Sequence, residues 1–501
     1  MRHKRRALTG VLAAMVLGAG LAPPALADNL PDQEAKSRSG SHEERKPKVD
    51  ISFSEPQLAA PPPAYGPHNP PRVAQRNTGG GPAGARESKK MKCAKEDGRK
   101  RTVCIRIGRD RNGNTDVGAA TKKRLKAASH VPWCDAQPVG KAYMTRTEAC
   151  LKDITPISLF YMYDGKEIGW ADFAMQQEIQ LHGNQDEFDQ YMTLVPTRID
   201  RNLGTVQMKW WATDDCTDCT KSQQRWRGEP LWTGPEDRHT ARGLYQTKWN
   251  GKGREDVLLN WELGGRISRY PLEVYEDLGT TDPDLEIRCD SEVAESAGCV
   301  FPKYRPTYPF NSKKYPAAAA HAWLMKEKLP NHPGSKKYGR PLSYLPEDNK
   351  HGRDPDDNRA VICRPYKYHP DTALVTAADP TDRPSCDELA FAATYQSGGM
   401  PASMGGTNPV ASGDQCVQTV ATRLRYGKWK LYDDDRYAAP TWKEVCGRSS
   451  MSRWMNSGSM GRFSSFAATF RMMDEDQYWI DTPGFEHCRS DRPTVTCRFA
   501  G

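Results

Sequence analysis

Residues 385–399 read SCDELAFAATYQSGG. Two adjacent acids, Asp387 and Glu388, follow a cysteine and open an apolar run that closes on the pair Gly398–Gly399. The pattern predicts a short helix with both acids in its first turn, where the helix dipole favours negative charge. Capping would account for them structurally, with Ser385 or Asp387 as the cap and Phe391 packing below. The alternative is chemical: paired carboxylates serving a metal-assisted hydrolytic site.

Outward from this stretch, the chain of 501 residues is long enough for two or three domains. Residues 1–27 read as an export signal. MRHKRR is basic, ALTGVLAAMVLGAGLA is apolar, and small residues stand at Ala25 and Ala27 before Asp28. No later run approaches a membrane span, so no stable membrane insertion is expected. The mature protein is expected to be secreted and extracellular. Fourteen cysteines fit disulfides in that compartment, and the even count allows full pairing. The sequence does not say which cysteines join. Cys216 and Cys219 form a C-x-x-C without a second such pair, so a local bridge is expected rather than zinc. The other disulfide candidates near the quoted stretch are Cys363, Cys386, Cys416, Cys446, Cys488 and Cys497. A net charge of +9 permits a polyanionic partner without requiring one.

Residues 28–90 are rich in proline, glycine and charge and read as a disordered spacer. From 91 to 300 the pattern is β-rich. RTVCIRIG, ISLFYMY, VQMKWW and VLLNWEL read as strands, separated by turn signals such as YDGKE and WNGKG. DRNGNTDVGAAT, from Asp110, has Thr115 and Thr121 where a calcium loop needs glycine and glutamate, and reads as a turn. Residues 301–315 look like a linker. A second domain, 316–501, opens with the helix-forming AAAAHAWLMKEKL. The expected fold class is α+β: an N-terminal disulfide-braced β-sandwich-like domain and a small α+β C-terminal domain.

Residues 423–454 interleave cations with aromatic rings, which suits either a nucleic-acid surface or a solvated hairpin with core aromatics. The acids Asp433 to Asp435 interrupt any continuous basic stripe. His351 and His369 sit in no metal-ligand spacing and read as surface residues.

Upstream of the quoted stretch stands DDNRAVICRP, and downstream RWMNSGSMGRFSSFAATFRMMDEDQYWIDTP. This order of motifs resembles the secreted deoxyribonucleases of the NucA/NucB type, over roughly residues 315–485. That family's signature is close to C-D-E-Y-P-F-A-S-T, followed by an acid and two glycines. Cys386, Asp387, Glu388, Phe391, Ala392, Thr394, Gly398 and Gly399 keep it. Asn358, Arg359 and Cys363 match an upstream N-R-x-x-x-C. Asn456 with Gly461 matches the family's asparagine and later glycine, and Arg471 through Tyr478 matches its strand R-V-x-D-G-D-x-F. Leu389–Ala390 replaces Tyr-Pro, and Gln396 stands in place of the acid, with Ser397 after it.

The resemblance implies a divalent-metal-dependent deoxyribonuclease with a ββα-metal-type core, using Mg2+ or Mn2+ on DNA. Either Asp387 or Glu388 is then the base, and the other orients it or helps hold the metal. Asn456 and Glu388 are the implied metal ligands. Arg359, Arg453, Arg471 and Trp454 are the implied substrate contacts. Gln396 keeps open a catalytically degenerate surface or matrix binding protein, and an exported DNase toxin is a further alternative. The N-terminal domain is left as a possible binder of cell wall or extracellular polymer.

Overall fold

Two large apolar cores organise the computed structural model. It describes residues 46–499 except for 75–90, 96–99, 115, 139–140, 213–214, 222–224, 228–229, 281–282, 365, 370–371, 373–380 and 425–427. The expected export signal at 1–27, and the spacer portions 28–45 and 75–90, lie outside the described residues. No described helix is long and apolar enough to cross a membrane.

The first described strand, β1 (Val49–Phe53), belongs to the second core and is taken up with it. The first core is held by β2 (Arg101–Ile107), β3 (Glu148–Tyr163), β4 (Lys166–Leu181), β5 (Glu187–Ile199), β6 (Val206–Ala212), β7 (Ala241–Trp249), β8 (Asn260–Ile267) and β9 (Ile287–Asp290). Strands β7-β5-β4-β3-β2 lie side by side in one antiparallel sheet, and β6 pairs with β8 in another. The sequence explains why. In β6, Val206, Met208, Trp210 and Ala212 are buried while the residues between them are half-exposed, the period-two alternation of a strand with one apolar face. Both sheets contribute to one core, through Ile157 and Leu159 from β3 and Met208, Trp210 and Leu263 from the other sheet. VLLNWEL is broken: one strand ends at Val257 and β8 begins at Asn260.

The second core gathers α1 (Pro316–Lys328), β10 (Pro384–Leu389), β11 (Val417–Arg423), β12 (Trp429–Asp433), β13 (Gly447–Ser452), α3 (Arg453–Met460), β14 (Gln477–Asp481) and β15 (Val495–Arg498), and α2 (Pro355–Cys363) packs beside it through a small cluster of Ile362, Cys416 and Cys446. Its six-stranded sheet runs β10-β13-β11-β12-β1-β15. Helix α1 starts with proline at its first position, where a missing N–H costs nothing, and is buried from Pro316 through Lys326. A helix apolar on all sides must be enclosed, and this one lies against the sheet.

All fourteen cysteines pair, as 93–104, 134–150, 216–219, 289–299, 363–386, 416–446 and 488–497. The local 216–219 bridge is the one expected from the C-x-x-C.

Three expectations change. The quoted stretch is not a helix: Pro384–Leu389 is the edge strand β10, antiparallel to β13 with Cys386 opposite Ser450. Local helix propensity gives way to the ladder with β13 and to the Cys363–Cys386 bridge. The expected spacer is structured over its described part, residues 46–74. β1 runs between β12 and β15, and its Val49, Ile51 and Phe53 point into the second core. Asp433 Oδ1 accepts from the Lys48 and Val49 amides at 2.7 and 3.0 Å, so the acidic run is an anchor for β1. The third change is that residues 471–476 form a loop, and the strand starts only at Gln477. Residues 301–315 contribute buried side chains to both cores. Phe301 and Tyr304 belong to the first, Tyr308 and Phe310 to the second.

Five buried charged side chains cross this seam. Arg146 bonds Asp476 Oδ2 at 2.5 Å, Arg288 bonds Asp476 Oδ1 at 2.9 Å, and Arg471 is paired with Asp290. The third cation is offset by carbonyls: Arg146 donates to those of Phe470, Pro302 and Tyr304, and Arg471 to Gly183 and Ser296. Burial works to raise the Asp476 carboxyl, but Arg146 and Arg288 overcome it and hold it below its ordinary value. Its stabilising effect is thus complete above the unfolded aspartate pKa, about 3.9, and is lost as pH falls through the lower folded value. Asp476→Asn should lower unfolding stability by ~3–5 kcal/mol, because it strands buried guanidinium charge. A urea melt at pH 7 checks this, and the deficit should shrink as the pH drops below about 4.

Candidate active site around strand β10

Helix α2 is positioned first. Asp354 caps it by accepting from the Asp356 amide at 2.8 Å, and Pro355 occupies its first turn. Asn358, fully buried, donates to the Ala392 carbonyl at 2.9 Å and accepts from Arg353 Nε at 2.8 Å. A Cβ on residue 399 would fall onto the Asn358 carbonyl, so glycine there lets the loop after β10 close against α2. The Cys363–Cys386 bridge ties the end of α2 to β10.

Strand alternation then separates the two acids. Cys386 and Glu388 share one face of β10. Glu388 Oε1 accepts from Arg359 Nε of α2 at 3.1 Å, and Oε2 lies 3.4 Å from the bridged Cys363 sulfur. Ser385 and Asp387 share the other face. There Asn456 of α3 donates through Nδ2 to Ser385 Oγ at 2.9 Å and to the Cys386 carbonyl at 2.8 Å. Across the sheet, Ser449 stands opposite Asp387, and Thr419 stands beside Ser449. Thr419 Oγ1 is 3.0 Å from Nδ1 of His321, a buried residue of α1. Asp387, Ser449, Thr419 and His321 therefore form a polar row beneath α1.

The row is electrostatically unusual. Asp387 is 8 % exposed and Glu388 5 %. Burial pushes the Asp387 carboxyl well above its ordinary range, and the neighbouring Glu388 adds to that. Burial also raises Glu388, though Arg359 pulls it back. The Arg359 side chain is 55 % exposed, so solvent screens that pair. Burial drives the His321 imidazole down to about 3, against an opposing effect of the Gly447 backbone, so the ring is neutral at pH 7. Among the described residues, Ser449 Oγ and His321 Nε2 have no partner at hydrogen-bond geometry.

The implied Mg2+ or Mn2+ can be weighed against these donors. Asp387, Asn456 and Ser385 present oxygen on one face, the donor type such hard cations take. Two polar atoms of the same row, Ser449 Oγ and His321 Nε2, are without partners among the described residues, so Asp387, Asn456 and Ser385 are the residues that would hold a small cation on this face. Glu388 does not join that set, because its carboxylate is turned to Arg359 on the opposite face.

The other sequence candidates separate. Arg453 is the exposed first residue of α3, its amide bonded to the Arg383 carbonyl at 2.8 Å. Trp454 is half-buried against Tyr315, ring centres 4.8 Å apart. Arg471 is a correction: it is buried in the seam, fully occupied by Asp290, Gly183 and Ser296, and cannot meet a substrate. Gln396 holds the Ser343 amide at 2.7 Å. Among the described residues of 423–454, four of the cations are taken up by the fold. Arg448 is buried with Gln418 and Asp414, and Trp429 is core. Arg423, Lys430 and Arg436 are ion-paired to Glu55, Asp50 and Asp434. His369 is buried rather than on the surface, its amide bonded to Ser450 Oγ. Sequence reasoning passed over His321, Thr419 and Ser449. The one available signal was a lone histidine inside the alanine run of α1.

No family model matches the chain, and no curated protein matches it. Among solved structures it is similar to one described as the crystal structure of yeast GGA1_GAE domain-P21. The likeness has 10 % identity over 22 % of this chain and 89 % of that one, with a TM-score of 0.15. A likeness at that score carries no argument here.

A carboxyl raised above its unfolded pKa loses stability as pH rises from the unfolded value through the folded one. Asp387→Asn removes this penalty. In EDTA, its melting temperature should exceed that of the wild type at pH 8, and the two should converge near pH ~4. Thermal melts at both pH values check the sign.

Proposed function

We propose that the protein is a secreted endonuclease that hydrolyses phosphodiester bonds of extracellular DNA with Mg2+ or Mn2+. One observation carries this reading: the motif pieces that resemble the NucA/NucB type, spread over some hundred residues of sequence, meet around β10. Asn358, Arg359 and Cys363 of α2 contact Ala392, Glu388 and Cys386, and Asn456 of α3 contacts Ser385 and Cys386. β10 and β13 are antiparallel, and α3 follows β13 directly, an arrangement compatible with a ββα-type core. The loop 471–476 also agrees. Glu475, at the place where the family pattern has glycine, has φ +66°, a backbone conformation that glycine adopts without strain.

In this reading Asp387 is the general base. A carboxyl raised by burial accepts a proton from the attacking water more readily than an ordinary one. Asn456, fixed by Ser385 and the Cys386 carbonyl, offers its amide oxygen to the cation. The bound cation supplies Lewis acidity to the scissile phosphate and lowers the pKa of water. Glu388 and Arg359 hold α2 against the strand, so Glu388 is a positioning residue. Arg359 and Arg453 keep exposed cationic surface for phosphates. The β-rich part is left to hold cell wall or extracellular polymer.

A second reading is favoured by the depth of Asp387: a base 8 % exposed suits a surface or matrix binder that has lost catalysis.

Plasmid nicking by the full mature chain, with Mg2+, with Mn2+ and with EDTA, separates the two. The nuclease reading expects cleavage abolished by EDTA. Asp387→Asn should lower the rate by about 10²–10⁴ without loss of melting temperature, and Asn456→Ala should raise the cation concentration needed. A wild type inactive with both cations leaves the binder.

A further inference from the structure

We infer that the cleft between the proline-rich segment 55–70 and helix α3 is a subsite for single-stranded DNA. Its phosphates would lie on Lys314 and Arg462 and its bases against Tyr65 and Tyr315. The substrate class rests on the nuclease reading above.

The cleft is a cavity of about 280 Å³, with Pro62, Pro63 and Tyr65 on one wall and Tyr315, Gly458 and Arg462 among the residues opposite. Its N-terminal wall is tied down. The Gln57 amide bonds the Lys313 carbonyl at 2.9 Å, and the Tyr65 hydroxyl bonds the Arg462 carbonyl at 3.2 Å. Asn69 Nδ2 bonds the Thr307 carbonyl at 3.0 Å. The opposite wall depends on Gly458, because a Cβ there would overlap the Tyr315 ring that lies on α3.

The charges are the telling feature. Arg462 sits 4.7 Å from the Tyr65 ring centre, and Lys314 Nζ sits 5.7 Å from Tyr315 and 6.0 Å from Trp454. Neither cation meets a carboxylate among the described residues. In the 423–454 stretch, by contrast, Arg423, Lys430 and Arg436 each have an acidic partner. Unneutralised cations beside half-exposed rings suit a polyanion that also carries flat apolar groups, which is a nucleic-acid strand with its bases unpaired. Proline has no N–H to offer, so the prolines of the N-terminal wall favour stacking over hydrogen-bonded reading of base edges. Gly458 and Asn456 are two residues apart on α3 and so lie on roughly opposite faces. About one helix diameter, ~10 Å, separates the cleft from the Asp387 face. A strand of a few nucleotides covers that distance.

The test is fluorescence anisotropy of labelled oligo(dT) with the full mature chain in EDTA, where no metal-dependent cleavage interferes. Lys314→Gln combined with Arg462→Gln should weaken binding at least tenfold. It should also flatten the slope of log K against log salt by about 1.4, the share of two phosphate contacts on a single strand at about 0.7 each. Lys314→Gln alone, which breaks no hydrogen bond to segment 55–70, should take about half of that slope. Unchanged affinity and slope in the double variant overturn the subsite. So does inorganic polyphosphate that competes as well as oligo(dT) of equal charge. If the wild type shows this binding pattern yet cleaves no DNA with Mg2+ or Mn2+, the subsite stands and the nuclease reading falls. If it cleaves DNA while the double variant binds oligo(dT) normally, the nuclease reading stands and the subsite falls.

Discussion

The rest of the structure depends on one buried electrostatic knot, in which Arg146, Arg288 and Arg471 enclose Asp290 and Asp476. Desolvating that much charge is tolerable only when every group finds a partner. Here the surplus cation is spread over main-chain carbonyls from both cores, and Arg288 Nε, which makes no hydrogen bond, stands 3.8 Å from Asp290 Oδ2. The knot holds the loop 471–476 in a conformation the chain would otherwise avoid, with Arg471 at φ +44° and Glu475 at φ +66°. Because the knot's members come from both the β-rich part and the C-terminal part, the two are coupled through it. The loop leads directly into β14, which is packed in the second core.

Strand β10 divides its labour by parity. The face carrying Cys386 and Glu388 is structural: a disulfide and an ion pair fasten it to α2. The face carrying Ser385 and Asp387 leaves Ser449 Oγ and His321 Nε2 without partners among the described residues beneath α1, and Asn456 bonds Ser385 there. Burying an acid with Ser449 and a neutral His321 in the same row costs stability, and such costs concentrate where function needs a tuned group. Adjacent acids on a strand cannot act as one pair, whereas in the first turn of a helix both would have faced similar surroundings.

Charge is also sorted by position. The arginines and lysines of 423–454 look like a binding surface in sequence, yet the fold buries Arg448 and pairs Arg423 and Lys430 with the N-terminal segment and Arg436 with Asp434. Lys314 and Arg462, which belong to no basic run, stand beside half-exposed aromatic rings with no carboxylate partner among the described residues. Segment 55–70 supplies part of that cleft, so residues read as spacer help to build a surface of the second core.

The sequence by itself determined the local features. Short runs of β-branched and aromatic residues placed β2, β3 and β6, the run of helix formers placed α1, and the C-x-x-C placed the 216–219 bridge. Each of these depends on interactions within a few residues or on one apolar face, which a linear pattern records. Only the tertiary structure decided that DELAF begins in a strand, that VDISF completes a sheet some 380 residues away, and that Arg471 is a clamp. Those outcomes rest on partners distant in sequence: a β13 to pair with, an Asp433 to anchor the amides of β1, an Asp290 to neutralise a guanidinium. The candidate site divides in the same way. Asp387, Glu388 and Asn456 were legible as residue types. Which acid shares a face with Asn456 was fixed only once β10 became a strand, because alternation has no meaning until the backbone conformation is set.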